Sequence, residues 1–295
     1  MAALPAAGRY NWAEMADRFI DKLNAAAARN DSLLCVGLDP DPALMPVADV
    51  AAFNRAIVDA TADLVCAYKP NLAFYEALGE EGWRALRQTL AAIPAHIPVI
   101  ADAKRGDIGN TSAAYAHAIF EVLGCDCMTV NAWGGEDAVE PFLEYEANGV
   151  LLWCRSSNPS AGDIQDLELN YAGRLRPLWQ VIALKALEWN HNGNIGIVMG
   201  ATYPAQLGEA RQLCPTLPIL VPGVGAQEGA LRESVRAGVT DKGDGIIVAA
   251  SRSILYASRD ADYALAARAA AQRLRDEINR HRRDRVVTLE AEHGP

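Results

Sequence analysis

Residues 97–108 read Ile97-Pro98-Val99-Ile100-Ala101-Asp102-Ala103-Lys104-Arg105-Gly106-Asp107-Ile108. The first five have the composition of a buried strand, and the rest bring two carboxylates and a lysine to its end. Charged groups in such a place are costly to desolvate unless they pair or do chemistry. Side chains alternate along a strand, so Asp102 and Lys104 are expected to point into one shared space. One strand earlier, Leu64-Val65-Cys66-Ala67-Tyr68-Lys69 also ends on a lysine. Alternating ammonium and carboxylate groups at neighbouring strand ends are the feature to be explained.

Outward from this stretch, apolar runs recur at Leu33–Leu38, Leu64–Tyr68, Ile97–Ala101, Cys127–Val130, Val150–Cys154, Ile195–Met199, Ile219–Val221 and Gly245–Ala249. Helical patterns separate them, most plainly in Ala51–Ala62, Glu81–Ala92, Ala113–Leu123 and Ala205–Leu213. Strands without polar alternation are covered on both faces, and eight of them alternating with helices predict a parallel (β/α)8 TIM barrel, an α/β fold. An extra amphipathic helix over Trp12–Ala28 is expected to cover the barrel's lower end, and a last helix over Ala264–Arg283 to end in a basic, frayed segment. Nothing in the composition marks a second domain. The chain reads as one domain over 1–295, with a core of about 31–278 and flexible ends at 1–9 and 284–295. The longest connection follows the fifth strand: Ser156–Asp163 is turn-rich, Tyr171–Trp189 reads as helix, and long loops on this rim often act as lids.

The 295 residues are 51% hydrophobic with a net charge of −10, which is ample for a core and argues against a nucleic-acid-binding face. The basic run Arg280–Arg285 reads as a solvated helix end. No apolar run approaches the ~18 residues of a membrane span, and no export signal is read, so a cytoplasmic protein is expected. Six cysteines fit buried reduced thiols, with Cys125-Asp126-Cys127 too tight for zinc spacing, and the five histidines are scattered. No metal is expected.

Polar residues gather at the strand ends: Asp39, Lys69, Asp102 with Lys104, Asn131, Ser156-Ser157-Asn158, Gly200, Pro222-Gly223 and Ser251-Arg252. That end of a parallel barrel carries the active site. Gly223-Val224-Gly225-Ala226-Gln227 after strand seven and Ser251-Arg252 after strand eight suit a phosphate, since glycine lets backbone N–H groups approach and arginine binds through two parallel hydrogen bonds. Ordinary readings stand beside these. Lys69 fits a snorkelling lysine, Asp102 and Lys104 a structural ion pair, Asp39 and Ser157-Asn158-Pro159 turns, and Thr111 a helix N-terminus.

With these residues in view, the chain from about Leu33 to Tyr256 resembles the orotidine 5′-phosphate decarboxylase family, in its longer bacterial branch. The most specific element is Asp-x-Lys-x-x-Asp-Ile-x-x-Thr, matched by Asp102, Lys104, Asp107, Ile108 and Thr111. Lys69, Asp39, Ser157-Asn158-Pro159, Gly223-x-Gly225-x-Gln227 and Ser251-Arg252-Ser253 follow in barrel order. The resemblance implies decarboxylation of orotidine 5′-monophosphate to UMP, the final step of pyrimidine nucleotide synthesis, with no metal and no organic cofactor. It also implies a homodimer with sites at the subunit interface. Lys69, Asp102, Lys104 and Asp107 match a charged catalytic tetrad, with Asp107 and Thr111 reaching the neighbouring subunit's site. Asp39 would bind ribose hydroxyls, Ser157 the pyrimidine, and Gln227 with Arg252 the phosphate, aided by Gly223, Gly225 and Ser251.

Two other readings remain. One is a Mg2+-dependent sugar-phosphate decarboxylase or aldolase of the same superfamily, which tends to place a carboxylate where Lys69 stands. The other is a non-catalytic nucleotide-binding dimer. No phosphoribosyltransferase motif is read.

Overall fold

The computed structural model describes residues 18–224 and 228–293, with side chains described as far as residue 288 apart from 228 and 229. Ten strands occur among them: β1 Leu34–Gly37, β2 Ala67–Lys69, β3 Ile100–Arg105, β4 Cys127–Val130, β5 Gly149–Arg155, β6 Glu168–Tyr171, β7 Arg174–Pro177, β8 Ile195–Met199, β9 Ile219–Pro222 and β10 Ile246–Ala250. Eight form one parallel sheet in the order β2-β1-β10-β9-β8-β5-β4-β3. Parallel bridges from Tyr68 to Val99 and from Asn71 to Asp102 join its two edges and close the barrel. All eight expected strands are present, each within a few residues of its apolar run.

Two cores follow from the two faces of each strand. Inside the barrel, Cys35, Ala67, Ile100, Cys127, Leu151, Val198, Leu220, Ile247 and Ala249 pack on one another. Their strand neighbours, among them Val36, Tyr68, Ala101, Met128, Leu152 and Val248, face outward into the larger layer beneath the helices. Because Ala67 and Ile100 point inward, alternation also turns Lys69 and Asp102 inward, at the C-terminal mouth.

The helix Phe19–Arg29 closes the opposite end. Phe19 and Leu23 join the inner core, the Phe19 N–H donates to the Ala147 carbonyl at 2.7 Å, and Lys22 pairs with Asp126 at 2.6 Å. Gly149 makes room for it, since a Cβ there would lie 2.2 Å from the Phe19 ring. The part of the predicted helix before residue 18 lies outside the described residues, as do residues 1–9.

Two elements differ from the expectation. The segment from Tyr171 is not helical throughout: β6 and β7 pair as an antiparallel hairpin, and the helix occupies only Leu178–Glu188. The turn residues Ala172 and Gly173 both have positive φ (51° and 75°), as a two-residue hairpin turn requires. Ala-Gly is a weaker signal for that turn than Asn-Gly, which is why the hairpin was hidden. The last helix, Tyr263–His293, continues past Arg283. Two arginines of the basic run are engaged, Arg282 and Arg283 on the Asp31 carboxylate at 2.5 and 2.7 Å, and Asn279 donates to the Asp31 carbonyl at 2.7 Å. Among the described residues no helix is long and apolar enough to cross a membrane.

Candidate active site

Asp102 is the centre of the charged cluster. Its Oδ2 accepts from the Lys69 ammonium at 2.7 Å and its Oδ1 from the Lys104 ammonium at 2.5 Å. Lys69 is 4% exposed and Asp102 9%, so both ions are held away from bulk water. Burial pushes the Asp102 carboxyl upward, but the two ammonium groups outweigh it and hold the group well below the usual carboxylate range. Burial likewise opposes the charge on Lys69, and Asp102 with Asp39 outweighs it, raising its pKa above the ordinary lysine value. Asp102 and Lys69 stay ionised because each has an opposite charge beside it.

Lys104 reaches Asp102 by a route that strand alternation does not describe. The pairing of β3 with β4 shifts register between Ala101 and Arg105, and Lys104 has φ +47°. A left-handed backbone costs a lysine roughly 1–2 kcal/mol, so it must be held from outside. Thr129 on β4 does this: its Oγ1 accepts from the Ala103 and Lys104 N–H groups, both at 3.0 Å, and donates to Asp102 Oδ1 at 2.9 Å. Asn131 donates to the Lys104 carbonyl at 3.1 Å. The result leaves the Lys104 ammonium 36% exposed by side chain, above the Trp153 ring at 5.8 Å from its centroid.

Asp39 continues the cluster around the rim. Its Oδ1 accepts from the Asn71 N–H at 3.1 Å and its Oδ2 from the Ser251 hydroxyl at 2.6 Å, while the Tyr256 hydroxyl donates to its carbonyl at 3.1 Å. Gly37 is required beside it, because a Cβ there would meet Ser251 Oγ at 1.9 Å. Arg252 opens the short helix Arg252–Leu255 next to Ser251 and is exposed.

The loop after β5 forms the facing wall. Ser156 is buried and turned into its own loop, with its Oγ 2.6 Å from Asn158 Oδ1 and accepting from the Asn158 N–H at 3.1 Å. Ser157 instead packs on the next two strand ends. A Cβ on Gly200 would come within 2.7 Å of its backbone N, and one on Gly223 would touch its side chain at 3.7 Å. Gly223 has φ +90°, which reserves that turn for glycine. A cavity of about 520 Å³ lies between this loop and Lys104, lined among others by Asn131, Trp153, Ser156, Asn158 and Gln165.

Of the sequence-predicted residues, the structure brings Lys69, Asp102 and Lys104 into direct contact and joins Asp39 to Ser251. Asp107 does not touch the trio within this chain. It is exposed, accepts from the Ile108 N–H at 2.7 Å, and its backbone pairs with the Ser112 hydroxyl ahead of the helix Gly109–Ala116 that carries Thr111. Gly225 and Gln227 lie outside the described residues. Sequence reasoning passed over Thr129, Asn71, Trp153 and Arg155. A threonine inside the apolar run Cys127–Val130 was the one available signal for Thr129; the others look like ordinary strand and turn residues until the barrel closes.

Comparisons with known proteins agree with this fold. Residues 32–267 match the family model described as orotidine 5′-phosphate decarboxylase / HUMPS family. An orotidine 5′-phosphate decarboxylase of Thermomicrobium roseum is 52% identical over 90% of this chain and 96% of its own length. One of Dehalococcoides mccartyi is 49% identical over 90% and 99%. The solved OMP decarboxylase of Leishmania donovani superposes with a TM-score of 0.79 at 41% identity, covering 90% of this chain and 98% of that one.

Proposed function

The chain belongs to the orotidine 5′-phosphate decarboxylase / HUMPS family, and from that premise we propose that it converts orotidine 5′-monophosphate to UMP. The single observation that carries this reading is the Asp102 carboxylate clasped between two ammonium groups at the barrel mouth. Loss of CO2 from C6 of the pyrimidine leaves an electron pair on a ring carbon without an internal sink. A fixed ammonium beside that carbon is worth most as the charge develops, so it lowers the barrier rather than merely binding substrate. Lys104 has the exposure for this and carries the proton that C6 then takes up. Lys69 is the buried counter-ion that keeps Asp102 ionised, and Asp102 faces the departing carboxylate.

Asp39 with Ser251 serves the ribose, Ser157 the pyrimidine, and Gly223, Gly225, Gln227 and Arg252 the phosphate. Phosphate binding far from C6 supplies energy for positioning and for excluding water. A divalent cation at Asp102 would have to displace both ammonium groups, which favours the reaction without metal or organic cofactor over the Mg2+-dependent alternative.

The active form is a homodimer in which Asp107 and Thr111 complete the neighbouring subunit's site. Asp107 is exposed, Ile108 beside it is 67% exposed, and Trp133, next to the Gly134 that lies against the Asp107 carbonyl, is 79% exposed, a surface suited to cover by a second copy. Six buried cysteines without a disulfide suit a reducing, cytoplasmic setting.

The test is the loss of ultraviolet absorbance on mixing with orotidylate, with and without chelator. Equal turnover in both is expected. UMP binding with no turnover leaves a non-catalytic binder, and turnover abolished by chelator restores the metal-dependent reading.

A further inference from the structure

Arg155 ends β5 at the barrel mouth, yet it is 2% exposed and turned away from the cavity. The pairing of β5 with β8 shifts register between Trp153 and Arg155, which rotates this side chain out of the inward series formed by Leu151 and Trp153. Each of its three guanidinium nitrogens donates to a side chain. Nε donates to Gln206 Oε1 at 3.1 Å, Nη1 to Gln165 Oε1 at 3.3 Å and Nη2 to Asp166 Oδ2 at 3.0 Å. Its face lies on the Tyr203 ring, 4.4 Å from the centroid, and the Tyr203 hydroxyl donates to the Asn158 carbonyl at 3.4 Å.

Gln165 gives this network its reach. The Oε1 that accepts from Arg155 also accepts from the Ser156 N–H at 2.9 Å. One oxygen therefore ties the closing end of the 156–166 loop to its opening end, and Arg155 ties both to Gln206 in the helix Pro204–Leu213. Ser156, Asn158 and Gln165 line the cavity over Lys104 and Arg155 does not. A buried planar fork with one carboxylate and two amide acceptors is an arrangement that lysine, a point charge on a flexible stem, does not reproduce.

We propose that Arg155 is a positioning residue for the pyrimidine side of the site, acting through Gln165 to set the backbone of Ser156–Asn158. It touches no substrate. Small displacements of a group that orients the reacting ring are expensive in rate, so the network should govern binding and turnover of nucleotides while leaving the ribose-phosphate side alone. This deepens the function proposed above and rests on it.

The test compares wild type with Arg155→Lys and Gln165→Ala. The readouts are KM and kcat for orotidylate per folded molecule, and the affinities for UMP and for ribose 5-phosphate. Arg155→Lys is expected to weaken UMP at least tenfold and raise KM to match, with ribose 5-phosphate affinity within twofold of wild type. Gln165→Ala, which leaves the Arg155–Asp166 pair in place, should show the same pattern at three- to tenfold and serves if Arg155→Lys does not fold. Gln165→Glu keeps the shared acceptor and loses the amide donor, so it should restore UMP affinity. Equal weakening of both ligands means a general structural role and overturns the proposal, as does no change in either variant. Failure of Gln165→Glu to rescue means direct contact by the Gln165 amide and also overturns it. Wild-type turnover of orotidylate tests the function separately, and the two binding ratios remain readable without it.

Discussion

Arg155 and Arg211 are both buried and sit at opposite ends of the barrel, with partners of different kinds. Arg211, 8% exposed in the helix Pro204–Leu213, gives its donors to main-chain carbonyls. These are Gly238 and Gly245, both at 2.7 Å, Leu217 at 2.8 Å, Cys214 at 3.0 Å and Pro215 at 3.2 Å. These carbonyls end a helix and lead into β9 and β10 on the face away from the site. Burial without a bonded carboxylate pushes its pKa down to about 10. Arg155 bonds only side chains, two of them on a loop over the cavity. Main-chain partners are fixed by the fold, so Arg211 belongs to stability. Side-chain partners on a loop set the shape of a site, so Arg155 belongs to function. The same division separates the two ends of the molecule.

The largest effect that tests this division is at the top. Lys104→Ala should cut kcat/KM for orotidylate by roughly 10³-fold or more with the fold retained; activity above a few per cent of wild type would remove Lys104 from the chemistry. At the bottom, Arg211→Met strands several buried carbonyls and should cost about 3 kcal/mol in denaturant unfolding, with kcat per folded molecule within twofold of wild type. A loss of turnover at unchanged stability would erase the distinction between the two ends. Arg252→Ala, on the phosphate side, should raise KM about 10–100-fold, the worth of a charge-assisted contact, and change kcat less. Equal turnover of orotidine and its phosphate would contradict that assignment. Thr129→Val removes the acceptor for two N–H groups and should lower kcat about tenfold by releasing the Lys104 backbone; unchanged kcat would mean β3 holds that conformation unaided.

The smallest effect is in pH. Asp102 has a depressed folded pKa, so its contribution to stability is complete above about pH 4 and is lost as pH falls through the folded value. Lys69 has a raised folded pKa, so its contribution is complete below about pH 10 and is lost as pH rises through the folded value. The stability difference between wild type and Asp102→Asn should be flat from about pH 5 to 7, narrow below pH 4, and narrow again toward alkaline pH, where the Lys69 left buried without Asp102 loses its charge. Denaturant unfolding across that range checks it, and a slope between about pH 5 and 7 would mean that Asp102 and Lys69 are not both ionised there.

Most of the upper end was legible residue by residue. Lys69 and Asp102 were readable because an ionisable group ending an apolar run has few inexpensive places to go, and alternation states which face it takes. Ser251 and Asp39 were readable as strand ends but not as partners, since 212 residues separate them and only closure of the sheet brings Ser251 Oγ to 2.6 Å. The hairpin β6–β7 was not legible, because Ala172-Gly173 is a weak turn signal and the following residues continue a helical pattern. Arg155 and Arg211 look alike in sequence, each an arginine beside apolar residues.

The sequence alone determined the eight-stranded barrel, the end at which charged residues gather and the ion types there, because hydrophobic periodicity and the cost of burying charge are local properties. Tertiary structure alone decided how those ions meet. The left-handed turn at Lys104, its support by Thr129 and the opposite duties of two buried arginines all depend on hydrogen-bond partners that lie on other strands and loops. No local pattern records such partners, because they are chosen by distance in space rather than along the chain.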